Sequence, residues 1–153
     1  MNTKWVIVNK CDIRARGLAD KHYSRQKKYT AQFTRPGNNL VLLTQDCSAV
    51  WVTWKPTNGI KRMDGMDGFY ECTLFRNEGM NLSSDLIEQA IELTESVWGE
   101  PVGWLTYIKD SAVKSINPGY CYKCAGFKTI GRNKNGKLTK LVRVSPIKLK
   151  QGF

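Results

Sequence analysis

Histidine is nearly missing from this sequence: His22 is the only one in 153 residues. A zinc site built on imidazoles would therefore find a single ligand. The single C-x-x-C, Cys121 and Cys124, also lacks the second pair that a zinc ribbon requires, so no metal is expected. Three further cysteines, Cys11, Cys47 and Cys72, bring the count to five. An odd count without an export signal argues against a disulfide framework and for reduced thiols. No apolar run approaches the ~18–20 residues that cross a bilayer. The first twenty residues lack the apolar core of a signal peptide. These absences lead to the expectation of a cytoplasmic protein with no membrane association. No internal repeat or low-complexity segment is present, and the length suits one domain, 1–153, with a real core.

Acidic residues are scarce in particular places. The net charge is +11, and residues 109–153 hold eleven Lys/Arg against one acid, Asp110. Residues 21–35 carry Lys21, Arg25, Lys27, Lys28 and Arg35 with no acid, whereas residues 64–100 hold nine acids and one base, Arg76. A field divided in this way draws a polyanion to one face. The basic stretch is also interleaved with Tyr23, Tyr29 and Phe33, which suits stacking on bases. DNA is the expected partner, with Arg25, Lys27, Lys28 and Arg35 as its phosphate contacts.

The periodicities predict a mixed α/β chain. Residues 3–8 read as a strand, and 12–22 as a short helix led by Asp12. A basic loop follows at about 23–38. Residues 40–44 and 49–54 form a hairpin, 56–68 a polar connection, and 69–75 a third strand. The clearest helix is 83–98, with Leu86, Ile87, Ala90, Leu93, Thr94 and Val97 on one face. Ser83 or Ser84 is its expected cap, and Gly99 with Pro101 its stop. Residues 103–108 read as a buried strand and 118–125 as a short helix stopped by Gly126. Two last strands, 127–131 and 138–144, pair across an Asn-Gly turn. A helix between strands implies one parallel crossover in an otherwise antiparallel sheet.

The passage from Leu74 through Arg76, Gly79 and Asn81 to Ser83 and Ser84 leads from a strand into a helix N-terminus, where free amides and the helix dipole favour an anion. Arg76 is the expected phosphate partner. Asp110, after the 103–108 strand, is a candidate base or acceptor for an amine. Tyr120 or Tyr122 could protonate a leaving group. His22 and Tyr23, at the head of the basic loop, could hold a base extruded from a duplex.

The sequence Arg76-x-x-Gly79-x-Asn81 resembles the Q/R-x-x-G-x-G/A turn of GNAT (Gcn5-related) N-acyltransferases. Residues Asn117 to Phe127 resemble that family's N-x-x-A-x-x-x-Y-x-x-x-G-F passage, with Tyr122 in the tyrosine place. The resemblance covers roughly residues 40–145. It implies a GNAT-like fold with a mixed, mostly antiparallel twisted sheet flanked by helices. It also implies acetyl-CoA or another acyl donor held by Arg76, Gly79, Ser83 or Ser84, and Tyr122.

A narrower likeness is to the bacteriophage Mom-type proteins, GNAT-like enzymes that modify adenine in DNA. They pair an early His-Tyr, here His22-Tyr23, with an Arg, a Ser, and an Asp ten residues before a Tyr, here Asp110 and Tyr120. This implies a transferase placing a small acyl-type group on the exocyclic amine of adenine, in a host cell's cytoplasm if phage-encoded. Two alternatives stand beside it: an N-acetyltransferase of a small amine or protein, and a non-catalytic GNAT-shaped binder of nucleic acid or a host protein.

Overall fold

The computed structural model describes residues 3–22, 33–112 and 119–144. Its strands are β1 (Trp5–Val8), β2 (Asn38–Thr44), β3 (Ala49–Lys55), β4 (Phe69–Asn77), β5 (Gly103–Ile108), β6 (Lys128–Arg132) and β7 (Thr139–Val144). Its helices are α1 (Ile13–Ala19), α2 (Ser83–Trp98) and α3 (Tyr120–Cys124). The strands form one sheet in the order β1-β2-β3-β4-β5-β7-β6. Every neighbouring pair is antiparallel except β4–β5, which α2 connects in parallel.

Strand alternation sends side chains to two faces. On one, Leu42, Trp51, Cys72, Trp104 and Leu141 pack against Leu86, Ile87 and Ala90 of α2 and Tyr122 of α3. On the other, Val41, Leu43, Val50, Val52 and Leu74 pack against Ala15, Leu18 and Ala19 of α1. The Asp12 carboxylate caps α1 by accepting from the amides of Arg14 and Ala15. Its hydrogen bond with the Arg14 side chain pulls its pKa down to about 2.

The long helix differs from its expected form in two ways. Its N-cap is Leu82, and no side chain caps it; Ser83 Oγ instead accepts from the Asn77 amide at 3.0 Å. Ile91 is buried at 3% exposure whereas Val97 is half exposed, so the apolar stripe runs through adjacent pairs, Leu86–Ile87 and Ala90–Ile91. The short helix starts at Tyr120, after Gly119 in the left-handed region (φ 79°). A Cβ on Gly119 would lie 2.7 Å from both Ile108 and Leu141, so only glycine fits there. Pro118 lies outside the described residues.

Candidate active site

Pairing between β4 and β5 runs only from Phe69↔Gly103 to Cys72↔Thr106. Thr106 Oγ1 closes the last rung by donating to the Cys72 carbonyl at 2.8 Å. Beyond it β4 continues to Asn77 beside β3, and β5 to Ile108 beside β7. Opposite β3 the register steps from Thr53↔Cys72 to Val52↔Leu74, leaving Thr73 as a bulge at the same level. The sheet therefore opens where Cys72 sits. On the α2 face, the Tyr122 hydroxyl lies 3.4 Å from Cys72 Sγ, with its ring edge-on to Phe75 and Phe127. Complete burial pushes the Cys72 thiol up to about 12, so it stays protonated and is no nucleophile.

At the C-terminal end of β4 the turn into α2 is organised by Asn77, a residue that the sequence reading passed over. Its Oδ1 accepts from the Gly79 amide at 2.9 Å, and its Nδ2 donates to the Asn81 carbonyl at 2.7 Å. The signal was available, since Asn two residues before Gly is an Asx-turn pattern. No side chain caps α2, so the dipole end and amides of its first turn lack a capping bond, with the exposed Asp85 in that turn partly offsetting the dipole.

Gly79 is fixed by packing: a Cβ there would come 2.8 Å from Ser48 Cβ at the tip of the β2–β3 hairpin. Gly79→Ala is expected to destabilise by about 1–3 kcal/mol through overpacking. In urea titrations the Gly79→Ala/Ser48→Gly double variant should lose less than the two single losses added; strict additivity would rule the contact out.

Arg76 pairs in register with Val50 and so points to the α1 face. Its Nε donates to Glu78 at 2.7 Å and its Nη1 to the Lys21 carbonyl at 3.4 Å, while Lys21 Nζ also meets Glu78. His22 lies in the same cluster. Burial, and then the nearby Arg76 charge, pull its pKa down to about 4, so it is neutral at physiological pH. The structure thus brings Arg76 and His22 together, although Arg76 is engaged with Glu78 and the chain rather than left open for a phosphate.

The other expected site residues scatter. Asp110, in a 3-10 turn after β5, accepts from Thr139 Oγ1 at 2.9 Å and from Arg132 at 3.1 Å. Its charge is thus spent on the β6–β7 hairpin, where an amine acceptor was expected. Tyr120 is 61% exposed, and its hydrogen bond with Cys124 holds its pKa above the usual tyrosine value. Ser84 is half-buried in the first turn of α2. Arg35 was expected to be a phosphate contact; it folds onto Glu71 at 3.1 Å and stacks 4.3 Å from the Trp54 ring centre. Tyr23, Arg25, Lys27 and Lys28 lie outside the described residues.

A buried polar network missed by the sequence reading occupies the α1 face beside the split. Arg62 reaches back from the β3–β4 connection to Asp64 at 2.6 Å and Glu71 at 2.7 Å, and the Tyr107 hydroxyl donates to Asp64 at 2.8 Å. Burial opposes the Arg62 charge, but its bonds to Asp64 and Glu71 outweigh that and hold its pKa above the ordinary value. Burial likewise works against the Asp64 carboxylate, yet Arg62, the Met66 amide and Tyr107 hold it well below the usual range. Tyr107 is pushed up by burial and by Asp64. Lys61 and Arg62 stood out in the sequence only as part of a polar loop; nothing local marked Arg62 as folding inward.

Among the described residues no helix is long and apolar enough to cross a membrane, and no cluster of three or more His, Cys, Asp or Glu could hold a metal ion. No protein-family model and no curated protein matches the sequence. Solved structures do match. An acyl-CoA N-acyltransferase from Pseudomonas aeruginosa is similar with a TM-score of 0.58 at 12% identity, covering 92% of this chain and 99% of that one. An aminoglycoside N(6')acetyltransferase from Legionella pneumophila subsp. pneumophila str. Philadelphia 1 is similar with a TM-score of 0.55 at 14% identity, covering 99% of this chain and 98% of that one. The mixed, largely antiparallel seven-stranded sheet with α2 crossing between its one parallel pair is the GNAT-like fold.

Proposed function

We propose that this chain is a GNAT-type transferase that moves an acyl-type group from an acyl-CoA donor to the exocyclic amine of adenine in DNA. The observation that carries the reading is the opening of the sheet after Cys72↔Thr106, with the Tyr122 hydroxyl at that level and the uncapped start of α2 at the end of the same strand. Residues Met80 to Ser84, after the turn at Gly79, would hold the donor's phosphates on backbone amides, and Arg76 would join them by exchanging Glu78 for phosphate. A thioester bound there supplies an activated acyl carbon: an N–C bond forms, the C–S bond breaks, the amine gives up one proton and the sulfur takes one. Tyr122 would give that proton.

Charge supports a polyanionic acceptor over a cationic amine. A cationic amine needs open carboxylates, and around the split Asp64, Glu71, Glu78 and Asp110 are each already paired with a guanidinium. Lys128, Lys134 and Lys137 of the β6–β7 hairpin are exposed and add to the basic field.

Two measurements test the reading. Acetyl-CoA is expected to raise the thermal midpoint of the purified protein. Nucleosides from the DNA of expressing cells are expected to show a new adenosine mass that is absent with Tyr122→Phe. An unaltered nucleoside profile, with soluble protein that binds the donor, would sink the DNA acceptor and leave the transferase.

A further inference from the structure

The loops at one end of the sheet flank its opening. The pair Ala49↔Asn77 sets the β2–β3 turn beside the β4–α2 turn. Because β5 is parallel to β4 and antiparallel to β7, Lys109, Asp110 and the β6–β7 turn fall at that same end. This is the end at which β4 and β5 part, and the β6–β7 turn stands on the β5 side of the gap. Past the last β5–β7 rung, Ile108↔Thr139, residues 133–138 have no strand beside them and project from the sheet.

The projection is stiff. The Asn133 amide donates to the Leu138 carbonyl, and the Asn133 side chain accepts from the Leu138 amide, both at 2.9 Å. The Gly136 amide donates to the Asn133 carbonyl at 2.9 Å and the Lys137 amide to Asn135 Oδ1 at 3.0 Å. Arg132 ties the turn to the body, donating to the Gly136 carbonyl at 3.4 Å and to Asp110 at 3.1 Å. A partner that binds here meets a backbone already ordered, so little is lost in fixing it.

Its charge is of one sign. Residues 111–153 contain no acid, and Asp110 is taken up by Arg132 and Thr139 at the root of the hairpin. Lys109, Lys134 and Lys137 are exposed, and none of the three has an ion pair among the described residues. Nearby carboxylates are already answered, Asp46 by Thr44 and Ser48, and Glu78 by Arg76 and Lys21. Exposed acids stand instead along the outer side of α2, at Asp85, Glu88 and Glu92. A polyanion is therefore drawn to the hairpin and turned away from α2.

We propose that the β6–β7 turn, with Lys134 and Lys137 on it and Lys109 at its foot, is an arm that grips the phosphate backbone of duplex DNA beside the opening of the sheet. Two features select the duplex. Residues 128–138 include no aromatic side chain, so the arm has nothing to stack on a bare base, the usual hold on a single strand. Ammonium groups that read charge alone gain most from a dense array, and a duplex carries about one phosphate per 1.7 Å of axis. The arm positions the duplex and does not choose its sequence. Its part in catalysis rests on the DNA-acceptor reading above.

The test is fluorescence anisotropy of a short labelled duplex, titrated with the full chain over a series of salt concentrations. Lys134→Gln/Lys137→Gln removes two charges and leaves the backbone bonds of the turn in place. The control, Lys10→Gln/Lys61→Gln, removes two charges from exposed positions at the other end of the sheet. The plot of log affinity against log salt is expected to be shallower by about 2 in the hairpin variant and unchanged in the control. The loss should be the same on duplexes of unrelated sequence.

A hairpin variant that keeps the wild-type slope overturns the arm and leaves the DNA acceptor standing. A control that loses as much as the hairpin variant also overturns it, because net charge alone is then being read. Tighter binding to either single strand than to the duplex does the same. Wild-type protein that binds no duplex even at low salt sinks the arm and the DNA acceptor together, and leaves the transferase.

Discussion

Tyr122→Phe is expected to lower the rate of acyl transfer by roughly 10²–10⁴-fold, the range for loss of a positioned proton donor. The KM for the donor should move little, and loss of the hydroxyl–thiol contact should cost about 0.5–1.5 kcal/mol of stability. The hydroxyl lies 3.4 Å from Cys72 Sγ, and the ring is fixed by Phe75 and Phe127. A companion variant separates chemistry from packing. Cys72→Ala removes the same hydroxyl–thiol contact and leaves the tyrosine proton in place. If the contact is merely structural, the two variants lose rate alike. If Tyr122 donates the proton, only Tyr122→Phe loses it, and the alkaline limb of the pH–rate profile changes in that variant alone. The assay reads free thiol released from acetyl-CoA in the presence of DNA.

The fold was legible wherever local pattern decides it. The 103–108 strand and the 83–98 helix match their expected bounds residue for residue, because an apolar run and a 3.6-residue stripe are properties of the segment itself. The hairpin turns at 45–48 and 133–136 were equally plain from their turn residues. Cap and stripe details failed, since they depend on neighbours: Asn77 takes the Ser83 hydroxyl, and the sheet surface selects Ile91 over Val97.

Charge counting along the chain misled in the same way. Asp110 looks isolated among cations in sequence, yet the hairpin folds Arg132 and Thr139 onto it from 22 and 29 residues away. The site is made of still longer pairings, Cys72 with Tyr122 across 50 residues and Arg35 with Glu71 across 36. No periodicity encodes these. The glycine turn at 79 could be read because it is local, whereas the pocket around Arg62 needed the sheet first.

The largest stability effect is expected at that pocket. Arg62→Met keeps the side-chain length and removes the charge, leaving Asp64 with no cation and Glu71 with only Arg35. Breaking an ion pair whose side chains are 5% and 4% exposed typically costs about 3–5 kcal/mol, because the remaining carboxylate stays buried without compensation. For a chain of this size that corresponds to a drop in thermal midpoint of about 10 °C.

The loss should depend on pH with a definite sign. Asp64 is held below its unfolded value of about 3.9, so its contribution is complete above that pH and disappears as acid carries the pH down through the folded value. In Arg62→Met that depression is partly relieved, since the Met66 amide and Tyr107 remain. The gap in urea midpoint between wild type and variant should therefore be widest near pH 7 and narrow toward pH 3. Asp12, also depressed, is unchanged in both proteins and cancels in the comparison. Equal midpoints at pH 7 would mean that the desolvation of Arg62 consumes everything its bonds return.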